Sequence, residues 1–462
     1  MMTRVLIIGG SDAGISAALR ARAIDEAANV TVVVADRFPN YSLCGLPFYL
    51  SGEVPDWHRL AHRTEKEITD AGIHLLLDHT ARAIDPISHR VSVSDVSGRE
   101  ELLPYDRLIL ATGARPSRPT LPGLSLPGVY LLRTMEESFL VEHELSSLTP
   151  RSAVIIGGGY IGLEMADALI YRGIKVTVIE HHASVLKTID VSLGKLVQAE
   201  LEQHGVEVIT SMRVERITQK GAQLQVSGAH GFSILTDLVL VAVGVQPATA
   251  LAQTAQIQTG IQEAICVTRK METNVPAIFA AGDCVETWHR FLKQPTYLPL
   301  GTTAHKQGRV AGENAVGGQA QFAGTLGTQV VKVFDLAIAR TGLRDEEAVA
   351  AGFDPLTVET TVWDHKVYYP GAHRLSMRLT GDRNTGRLLG AQMVGYVHGE
   401  VAKRIDIFAT ALFHDMSLET LSDLDLSYTP PLSSPWDPVQ MSAQNWVKQQ
   451  IKLRHARNAT RE

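Results

Sequence analysis

Two glycine-rich turns are the first features of the chain whose spacing indicates chemistry. Residues 9–14 read GGSDAG and residues 157–162 read GGGYIG; the second is a complete G-x-G-x-x-G fingerprint, and the first has serine at the middle position. Such a turn lets a pyrophosphate approach the backbone and places it at the N-terminus of the following helix. A carboxylate follows each turn, Asp36 and Glu180 respectively, and would accept a hydrogen bond from a ribose hydroxyl. The turns therefore predict two dinucleotide sites.

The residues after the second turn bear on which nucleotide binds there. Glu180 lies 18 residues after Gly162. A carboxylate at that position accepts from a free ribose 2′-OH and repels a 2′-phosphate, which favours NADH over NADPH. His181 and His182 follow directly. A cationic imidazole would soften the repulsion, so NADPH remains an alternative.

Cys44 is the third feature with chemical potential, because it follows Asp36 by only eight residues. A single thiolate reacts either by forming a mixed disulfide with a substrate or by cycling through a sulfenic acid. The other two cysteines, Cys266 and Cys284, are interpreted as structural residues.

Strands and helices must position these residues. The apolar runs at residues 4–9 (RVLIIG) and 152–157 (SAVIIG) lead into the two turns, and a helical stretch and a second apolar run follow each turn. This pattern of about 30 residues predicts a βαβ unit on a parallel sheet that is buried on both faces. The expected fold class is α/β, with two Rossmann-like dinucleotide-binding domains.

Changes in composition divide the chain further. A proline-rich connection spans residues 116–127, and a transition rich in glycine and alanine lies near residues 317–327. Beyond it, strand patterns and an amphipathic stretch at residues 399–414 predict an α+β domain. The expected divisions are the first unit at 1–115, the second at 116–245, the remainder of the first at 246–327, the α+β domain at 328–447 and a polar tail that frays at 448–462.

The bulk composition narrows the class of protein. With 462 residues the chain is too long for one core, and its 45% hydrophobic and 20% charged residues are ordinary for a globular protein. A formal net charge of −6, without a block of like charge, argues against nucleic acid or membrane as main partners. Three cysteines and no recognisable signal or membrane segment favour the cytoplasm. The histidines show no ligand-type spacing, so no metal site is expected.

Two further segments resemble the two-dinucleotide flavoproteins. Residues 273–283 (TNVPAIFAAGD) resemble their second FAD signature, in which the aspartate, here Asp283, binds the ribitol chain. Residues 105–113 (YDRLILATG) resemble the segment that returns to the FAD domain. The resemblance implies FAD on the N-terminal unit, NADH or alternatively NADPH on the middle unit, and a helix beginning in residues 298–309 beneath the flavin pyrimidine.

The resemblance also implies a set of cofactor-binding residues. With a flavin and a helix N-terminus nearby, the pKa of the Cys44 thiol is expected to be lowered. The implied cofactor-binding residues are Gly9, Ser11, Ala13, Gly14, Asp36, Ala111, Thr112, Gly113, Gly157, Gly159, Tyr160, Ile161, Gly162, Glu180, Gly244, Gly282, Asp283, Thr303 and Ala304.

Residues from about 3 to 445 resemble the pyridine nucleotide-disulfide oxidoreductases, and within them the single-cysteine branch. That branch contains coenzyme A disulfide reductases, CoA persulfide or polysulfide reductases, and the water-forming NADH oxidases and NADH peroxidases. Two-cysteine members carry a second cysteine five positions on, where this chain has Tyr49. The resemblance implies a C-terminal dimerisation domain and a homodimer in which the partner subunit completes the active site.

Two positions separate the members of this branch. Oxidases and peroxidases typically have a histidine in the FAD turn where this chain has Asp12, whose charge would oppose a thiolate or sulfenate. Residues 427–438 (SYTPPLSSPWDP) resemble the tyrosine–proline–proline segment of CoA disulfide reductases. This implies that Tyr428 enters the partner's active site and protonates the leaving thiolate. Tyr369 is the expected second catalytic tyrosine, with Tyr368 as its rival.

The implied enzyme is an FAD-dependent NAD(P)H oxidoreductase that reduces a low-molecular-weight disulfide or persulfide of the CoA disulfide type through Cys44. The alternatives are an NADH oxidase or peroxidase that cycles through a cysteine sulfenate, and a flavin-binding redox sensor with little turnover. Leu43 stands where CoA disulfide reductases commonly have asparagine, and the basic position on the first helix is displaced to Arg20 and Arg22. Both departures weigh against CoA itself as the substrate.

Overall fold

The computed structural model describes residues 2–147 and 150–459, without the side chains of residues 457–459. The chain up to residue 116 contains the helices α1 (Asp12–Ile24), α2 (Leu46–Ser51) and α3 (Glu65–Asp70). Its strands are β1 (Arg4–Ile8), β2 (Asn29–Val33), β3 (Ile73–Leu76), β4 (His79–Asp85), β5 (Arg90–Asp95), β6 (Glu100–Pro104), β7 (Arg107–Leu110) and β8 (Ala114–Pro116).

The middle of the chain contains a second set of elements. Its helices are α4 (Met135–Ser147), α5 (Tyr160–Tyr171) and α6 (Val191–Gln203). Its strands are β9 (Val129–Tyr130), β10 (Ser152–Ile156), β11 (Lys175–Ile179), β12 (Glu207–Ile209), β13 (Val214–Lys220), β14 (Gln223–Gly228), β15 (Ser233–Thr236) and β16 (Leu238–Val241). The chain continues with β17 (Val245–Pro247), α7 (Ala250–Thr254), β18 (Ile278–Ala280), β19 (Thr287–His289), β20 (Gln294–Thr296) and α8 (Gly301–Ala315).

The C-terminal part begins with β21 (Gln329–Val333), β22 (Leu336–Gly342), α9 (Asp345–Ala350), β23 (Pro355–Trp363), β24 (Arg374–Asp382) and β25 (Leu388–Tyr396). It ends with α10 (Val401–Phe413), α11 (Leu418–Ser422) and α12 (Pro438–Ala459). Among the residues that the structure describes, no helix combines the length and apolarity that crossing a membrane requires.

A five-stranded parallel sheet in the order β18-β7-β1-β2-β3 forms the first unit. The apolar run of β1 is buried because the sheet is covered on both faces. Helices α1 and α8 pack closely together: a side chain at Gly308 would place its Cβ 2.2 Å from the carbonyl oxygen of Ala13. β18 belongs to this sheet, so residues far along the chain complete the first unit.

A second parallel sheet in the order β12-β11-β10-β16-β9 forms the middle unit. β10 lies between β11 and β16, and the carboxyl ends of these three strands meet at one edge. The two-stranded pair β8–β17 connects the units, since β8 precedes the middle unit and β17 follows it.

The C-terminal part is an antiparallel five-stranded sheet in the order β21-β22-β25-β24-β23, with α10 and α12 packed against it. Trp446 on α12 is fully buried and donates its indole N–H to the Leu356 carbonyl at 2.6 Å. Gln450 donates to the Arg383 carbonyl at 2.8 Å. These anchors hold α12 in place as far as Gln450, and the helix continues to Ala459, so the described part of the expected polar tail is helical. The polar residues there are good helix formers on the exposed side of an anchored helix.

Candidate functional site

The residues predicted to bind FAD meet at one edge of the first sheet. Gly9 follows β1, residues 111–113 follow β7, and Gly282 and Asp283 follow β18. These three strands are parallel neighbours, so their carboxyl ends lie side by side. The first turn of α8, with buried Thr303 and Ala304, lies next to them: Gly282 N donates to Gln307 of α8 at 2.9 Å.

The geometry of the first turn fits a bound pyrophosphate. Gly9 has φ +118°, and a Cβ there would lie 2.0 Å from the Ala111 carbonyl oxygen. A Cβ at Gly14 would lie 1.8 Å from the Gly9 carbonyl oxygen. Ser11 is the N-cap of α1, but its side chain makes no capping hydrogen bond. The backbone N–H groups that open α1, including that of Ala13, therefore remain available to phosphate oxygens.

Asp36 and Asn40 lie beside this turn. Asp36 accepts from Phe38 N at 2.9 Å, and burial of its carboxylate raises its pKa. Asn40, which the sequence analysis missed, has φ +57° and donates its backbone N–H to Gly10 at 2.7 Å. Its side-chain amide is buried, and both polar atoms lack a partner among the described residues. A bound cofactor would satisfy such a group.

Asp283 is held by an arginine that the sequence analysis also missed. Arg133, between β9 and α4, donates to the Asp283 carboxylate at 2.6 Å, and both side chains are mostly buried. Tyr297 donates its hydroxyl to the Asp283 carbonyl at 3.0 Å. These contacts hold Asp283 in place directly after β18, and its role as a ligand of the ribitol chain stays a prediction.

The second turn has the same construction. Gly157 has φ +112° with the Ala242 carbonyl oxygen 2.4 Å from a virtual Cβ, and Gly162 approaches Gly157 equally closely. A Cβ at Gly159 would meet no described atom within 4 Å, so this glycine faces open space. Tyr160 and Ile161 begin α5 directly after it, and Gly244, with φ +108°, follows β16 at the same edge. This arrangement fits a second dinucleotide.

Glu180 is buried and already hydrogen-bonded to backbone. One carboxylate oxygen accepts from Gly158 N at 2.7 Å and the other from His182 N at 2.8 Å. Nδ1 of His181 lies 3.0 Å from the second oxygen, and the His181 and His182 ring centroids are 3.7 Å apart with their planes tilted by 40°. Burial, followed by the neighbouring His181, lowers the pKa of His182. Glu180 thus points into the glycine turn, and the exposed imidazole of His181 lies at the mouth of the site.

Cys44 lies in a short turn, Leu43–Gly45, immediately before α2. The residue is exposed, yet the protein crowds the sulfur enough that desolvation raises its pKa, and the carboxylates of Glu164 and Asp12 raise it further. The expectation of a lowered pKa was therefore wrong for the protein groups. The reason is that burial disfavours the thiolate most, and the carboxylates of Glu164 and Asp12 add to this effect more than the guanidinium of Arg133 offsets it.

Asp12 is surrounded by imidazoles that the sequence analysis did not foresee. His305 on α8 and His62 place ring nitrogens 3.4 Å and 4.0 Å from its carboxylate. The other nitrogen of His305 hydrogen-bonds Ser16 at 2.8 Å. Burial raises the pKa of Asp12, while the two imidazoles act in the opposite direction. Packing of α8 against α1 creates this cluster, which is invisible in local sequence.

Glu164 on α5 is the acidic group that most affects Cys44. Burial and the nearby Asp167 raise the pKa of Glu164 to about 7, against the effect of Lys332. Its charge therefore changes within the physiological range. Glu164 therefore brings a titrating carboxyl of the second dinucleotide unit within electrostatic range of the thiol.

Replacing Glu164 with glutamine should make Cys44 more reactive above pH 7. In the natural protein Glu164 ionises near that pH and opposes the thiolate, whereas glutamine stays neutral. We expect the iodoacetamide alkylation rate of Cys44 at pH 8, measured by mass spectrometry on the FAD-loaded protein, to rise about three- to tenfold. Glu202→Gln, an exposed change on α6, should leave the rate unchanged. An unchanged rate in Glu164→Gln would contradict the assignment.

The structure brings Tyr428 to Tyr368. A hydrogen bond between their hydroxyls raises the pKa of Tyr368, whereas the ring of Tyr369 lies against His365 with centroids 5.9 Å apart. Tyr428 is 43% exposed and available to another subunit. Tyr49 packs edge-on to Phe139. Tyr368, the rival of Tyr369, is thus the tyrosine paired with Tyr428. Whether Tyr368 or Tyr369 serves catalysis stays a prediction.

Arg20 and Arg22 have partners within the chain. Arg20 pairs with Glu313 at 2.5 Å, and Arg22 donates to the carbonyls of Ala71 and Ala28 at 3.3 and 3.0 Å. A phosphate would have to compete with these contacts. Cys284 is fully buried, with its sulfur 3.4 Å from the Ala281 carbonyl, as expected of a structural cysteine.

Two dinucleotide-binding units, a neighbouring thiol and a separate α+β domain define a two-dinucleotide flavoenzyme. Residues 3–308 match the family described as pyridine nucleotide-disulphide oxidoreductase, and residues 328–438 match its dimerisation domain. The chain belongs to this family. The match confirms the predicted α/β fold, the enzyme class and the cofactors FAD and NAD(P)H. The dimerisation domain supports a homodimer.

Characterised relatives cover nearly the whole chain. It is 32% identical over 448 residues to a protein named NADH oxidase from Methanocaldococcus jannaschii, covering 96% of this chain and 99% of the relative. It is 33% identical over 445 residues to a CoA-dependent NAD(P)H sulfur oxidoreductase from Pyrococcus furiosus, covering 94% and 97%. Both similarities extend over all three parts of the fold.

Two solved structures are also similar. A NAD-dependent persulfide reductase from A. fulgidus superposes with a TM-score of 0.93 and 38% identity, covering 97% of this chain and 84% of that one. An engineered NADPH oxidase, derived from the NADH oxidase of Lactobacillus brevis, has a TM-score of 0.92 and 25% identity, covering 97% and 99%.

Proposed function

We propose that this enzyme reduces a low-molecular-weight disulfide or persulfide with electrons from NAD(P)H, and that Cys44 is its redox-active residue. The observation that carries the proposal is a single exposed thiol in the turn before α2, close to the carboxyl edge of the first sheet. The similarity to the sulfur oxidoreductase of P. furiosus and the persulfide reductase of A. fulgidus supports a sulfur acceptor. CoA disulfide and CoA persulfide are acceptors of this class.

The chain's own groups fit a thiol–disulfide exchange. The residues at the carboxyl edge of the first sheet would hold FAD, which would supply the electron pair, drawn from NAD(P)H, that cleaves the Cys44 mixed disulfide, releases the second thiol and restores the Cys44 thiolate. The Cys44 thiolate attacks the substrate disulfide, a Cys44–sulfur bond forms, and the other sulfur leaves as a thiolate. The carboxylates of Asp12 and Glu164 reduce the fraction of thiolate, but a thiol of higher pKa is the stronger nucleophile once ionised.

We infer that the partner subunit completes this site. The exposed hydroxyl of Tyr428, paired with that of Tyr368, is a neutral donor at pH 7 and would protonate the leaving thiolate. The homodimer that the C-terminal domain supports would bring the partner subunit's Tyr428 to Cys44.

The second candidate function is an NADH oxidase or peroxidase that cycles through a Cys44 sulfenate. The relative named NADH oxidase supports it. His62 and His305 also bring imidazole donors to the turn that contains Asp12. The carboxylate of Asp12 counts against it, because its negative charge opposes a sulfenate.

Anaerobic and aerobic turnover separate the two functions. NAD(P)H oxidation would be followed with CoA disulfide or CoA persulfide under argon, and with O₂ or H₂O₂ in the absence of any disulfide. The proposal requires disulfide- or persulfide-dependent oxidation under argon that exceeds the O₂- and H₂O₂-dependent rates. Rapid oxidation with O₂ or H₂O₂ alone would select the second function.

The spacing of charged residues bears on the choice of nucleotide. The engineered NADPH oxidase differs from its parent at a glycine and at four later positions. Eighteen positions after the glycine Asp becomes Ala, and nineteen positions after it Ala becomes Arg. Twenty positions after it Met becomes Ser, and twenty-five positions after it Pro becomes Arg. Counted from Gly162, this chain has Glu180, His181, His182 and Lys187 at those positions. It retains the acid, but carries a basic group at both positions where the engineered oxidase has arginine. We infer that NADH is preferred and that NADPH is accepted, with Lys187 as the cation that meets its 2′-phosphate.

Lys187→Ala should therefore raise the KM for NADPH about tenfold at pH 6.5 and leave that for NADH within twofold, because only NADPH presents a phosphate to the ammonium group. Direct binding titrations to the FAD-loaded protein would accompany the kinetics, with EDTA present because Glu180, His181 and His182 could hold a metal ion. Lys195→Ala on α6 is the matched control. An equal rise in the KM for NADPH and for NADH in Lys187→Ala would contradict the assignment of Lys187 to the phosphate.

A further inference from the structure

A basic cavity lies where the first unit meets the C-terminal domain, away from the residues assigned to the dinucleotide sites. Its volume is about 350 Å³, within the range of small-molecule sites. The turn between β19 and β20 forms one wall, and the β24–β25 turn with the end of α10 forms the other. The residues used below are Arg269, Trp288, Arg290, Lys293, Arg387 and Asp415.

The charge of this cavity contrasts with that of the protein. Four cationic side chains face one carboxylate, Asp415, which is paired with Arg387. The whole chain has a formal net charge of −6. Several cations in one concave surface raise the local concentration of anions and repel one another in the absence of a counter-charge. The cavity therefore favours an anion with more than one negative charge.

The arginines are fixed in place by packing. The Arg290 guanidinium lies 3.8 Å above the Phe413 ring and donates to the Phe413 carbonyl at 2.9 Å. The Arg387 guanidinium lies 4.2 Å above the Phe291 ring. Arg269 donates Nε to the Phe322 carbonyl at 3.0 Å. Each guanidinium has five N–H donors, so these contacts leave donors free while restricting the side chain.

One donor in this cluster is unsatisfied. The Nε of Arg387 is buried and has no hydrogen-bond partner among the described residues. A buried N–H without an acceptor costs free energy, about 1–3 kcal/mol in general. Lys293, at the tip of the β19–β20 turn, is exposed and adds a mobile ammonium group. Arginine forks with a flanking lysine are the donor set that binds phosphate oxygens.

We propose that this cavity binds a small anion that carries a phosphate or pyrophosphate group, either free or as part of a nucleotide. The half-buried indole of Trp288 in the wall offers a surface for a base if the anion is a nucleotide. The neighbouring depression along α8 adds Lys306 and Arg309, which would extend the site for a longer anion. The proposal is independent of the reductase function, because it uses none of the residues assigned to that reaction.

Isothermal titration of the full-length, FAD-loaded protein with sodium pyrophosphate and, separately, with AMP would test this site. NAD⁺ is left out of the titration because it carries a pyrophosphate itself, and any binding at the second dinucleotide site is recognised because the charge-reversed variant retains it. We expect saturable binding in the natural protein, and at least a tenfold weaker affinity in the double variant Arg269→Glu/Lys293→Glu. Tighter binding of AMP than of pyrophosphate would identify a nucleotide, and equal or weaker binding a free phosphate. Both substituted residues are exposed, so the fold should tolerate the change.

Lys220→Glu at the exposed end of β13 makes the same type of charge change elsewhere and should leave the affinity within twofold. If the double variant is unstable, Lys293→Glu alone should still weaken binding about threefold. The absence of saturable binding for both probes in the natural protein would overturn the proposal. So would equal affinity in the natural protein and the charge-reversed variants, because the binding would then lie elsewhere.

Discussion

Cys44→Ser is expected to lower disulfide- or persulfide-dependent NAD(P)H oxidation by at least about a thousandfold. A serine hydroxyl at neutral pH neither attacks a disulfide nor stores the electron pair as a thiolate. Binding of FAD and of the nicotinamide nucleotide uses other residues, so NADH should still bleach the flavin absorbance rapidly. Stopped-flow reduction followed by steady-state turnover on the same preparation measures both steps.

Cys266→Ser is the matched control for this experiment. Cys266 is only partly buried, so reagents can reach it as they reach Cys44. It lies outside the residues assigned to the site. Turnover in this variant should remain within twofold of the natural protein. If Cys44→Ser retained substantial turnover with the sulfur acceptor, Cys44 would not be the redox-active residue and the proposed function would fail.

Backbone-determined features of the site were predictable from sequence. The glycine turns were recognisable because only glycine tolerates the positive φ of Gly9 and Gly157 together with a carbonyl oxygen within 2.0–2.4 Å of a virtual Cβ. The strands that precede them were recognisable because strands buried on both faces are continuously apolar. These constraints act within a few residues of the motif, so they leave a local pattern.

Side-chain contacts between distant segments were not predictable. Arg133 meets Asp283 across 150 positions, and His305 meets Asp12 through the packing of α8 on α1. The same distance in sequence explains the wrong expectation for the Cys44 thiol: a short helix follows it, but burial by other parts of the chain, and after it the carboxylates of Glu164 and Asp12, raise its pKa. Asn40 left no signal beyond the tolerance of asparagine for positive φ.

The position of α12 shows the same limit for the fold. Residues 448–459 are polar, and composition alone predicts a loose end. Trp446 and Gln450 anchor one face of the helix to β23 and to the end of β24, so the polar residues only need to favour helix and face solvent. The apolar residues that this helix packs into the core, Val439, Ala443, Trp446 and Val447, all precede Lys448, so the residues that follow carry no apolar pattern of their own.

Tyr428→Phe is expected to lower turnover with a disulfide about a hundredfold, while the KM changes little. The substitution removes only the hydroxyl, and general acid catalysis of this kind contributes about 10²–10⁴-fold. Tyr368→Phe should have a smaller effect, about five- to tenfold, because it removes the hydrogen bond that orients Tyr428. Tyr369→Phe is the control and should stay within twofold. A larger effect for Tyr369→Phe than for Tyr368→Phe would reverse their roles.

Hybrid dimers would show whether Tyr428 acts across the subunit interface. A dimer that combines a Cys44→Ser subunit with a Tyr428→Phe subunit contains one intact pair of Cys44 and Tyr428 only if the tyrosine serves the partner's cysteine. In that case the hybrid should recover about half of the natural turnover, far above the level of either variant homodimer. If Tyr428 served the cysteine of its own subunit, both sites in the hybrid would be defective and mixing would restore nothing. Tandem affinity tags, one on each subunit, isolate the hybrid and make the two outcomes distinguishable.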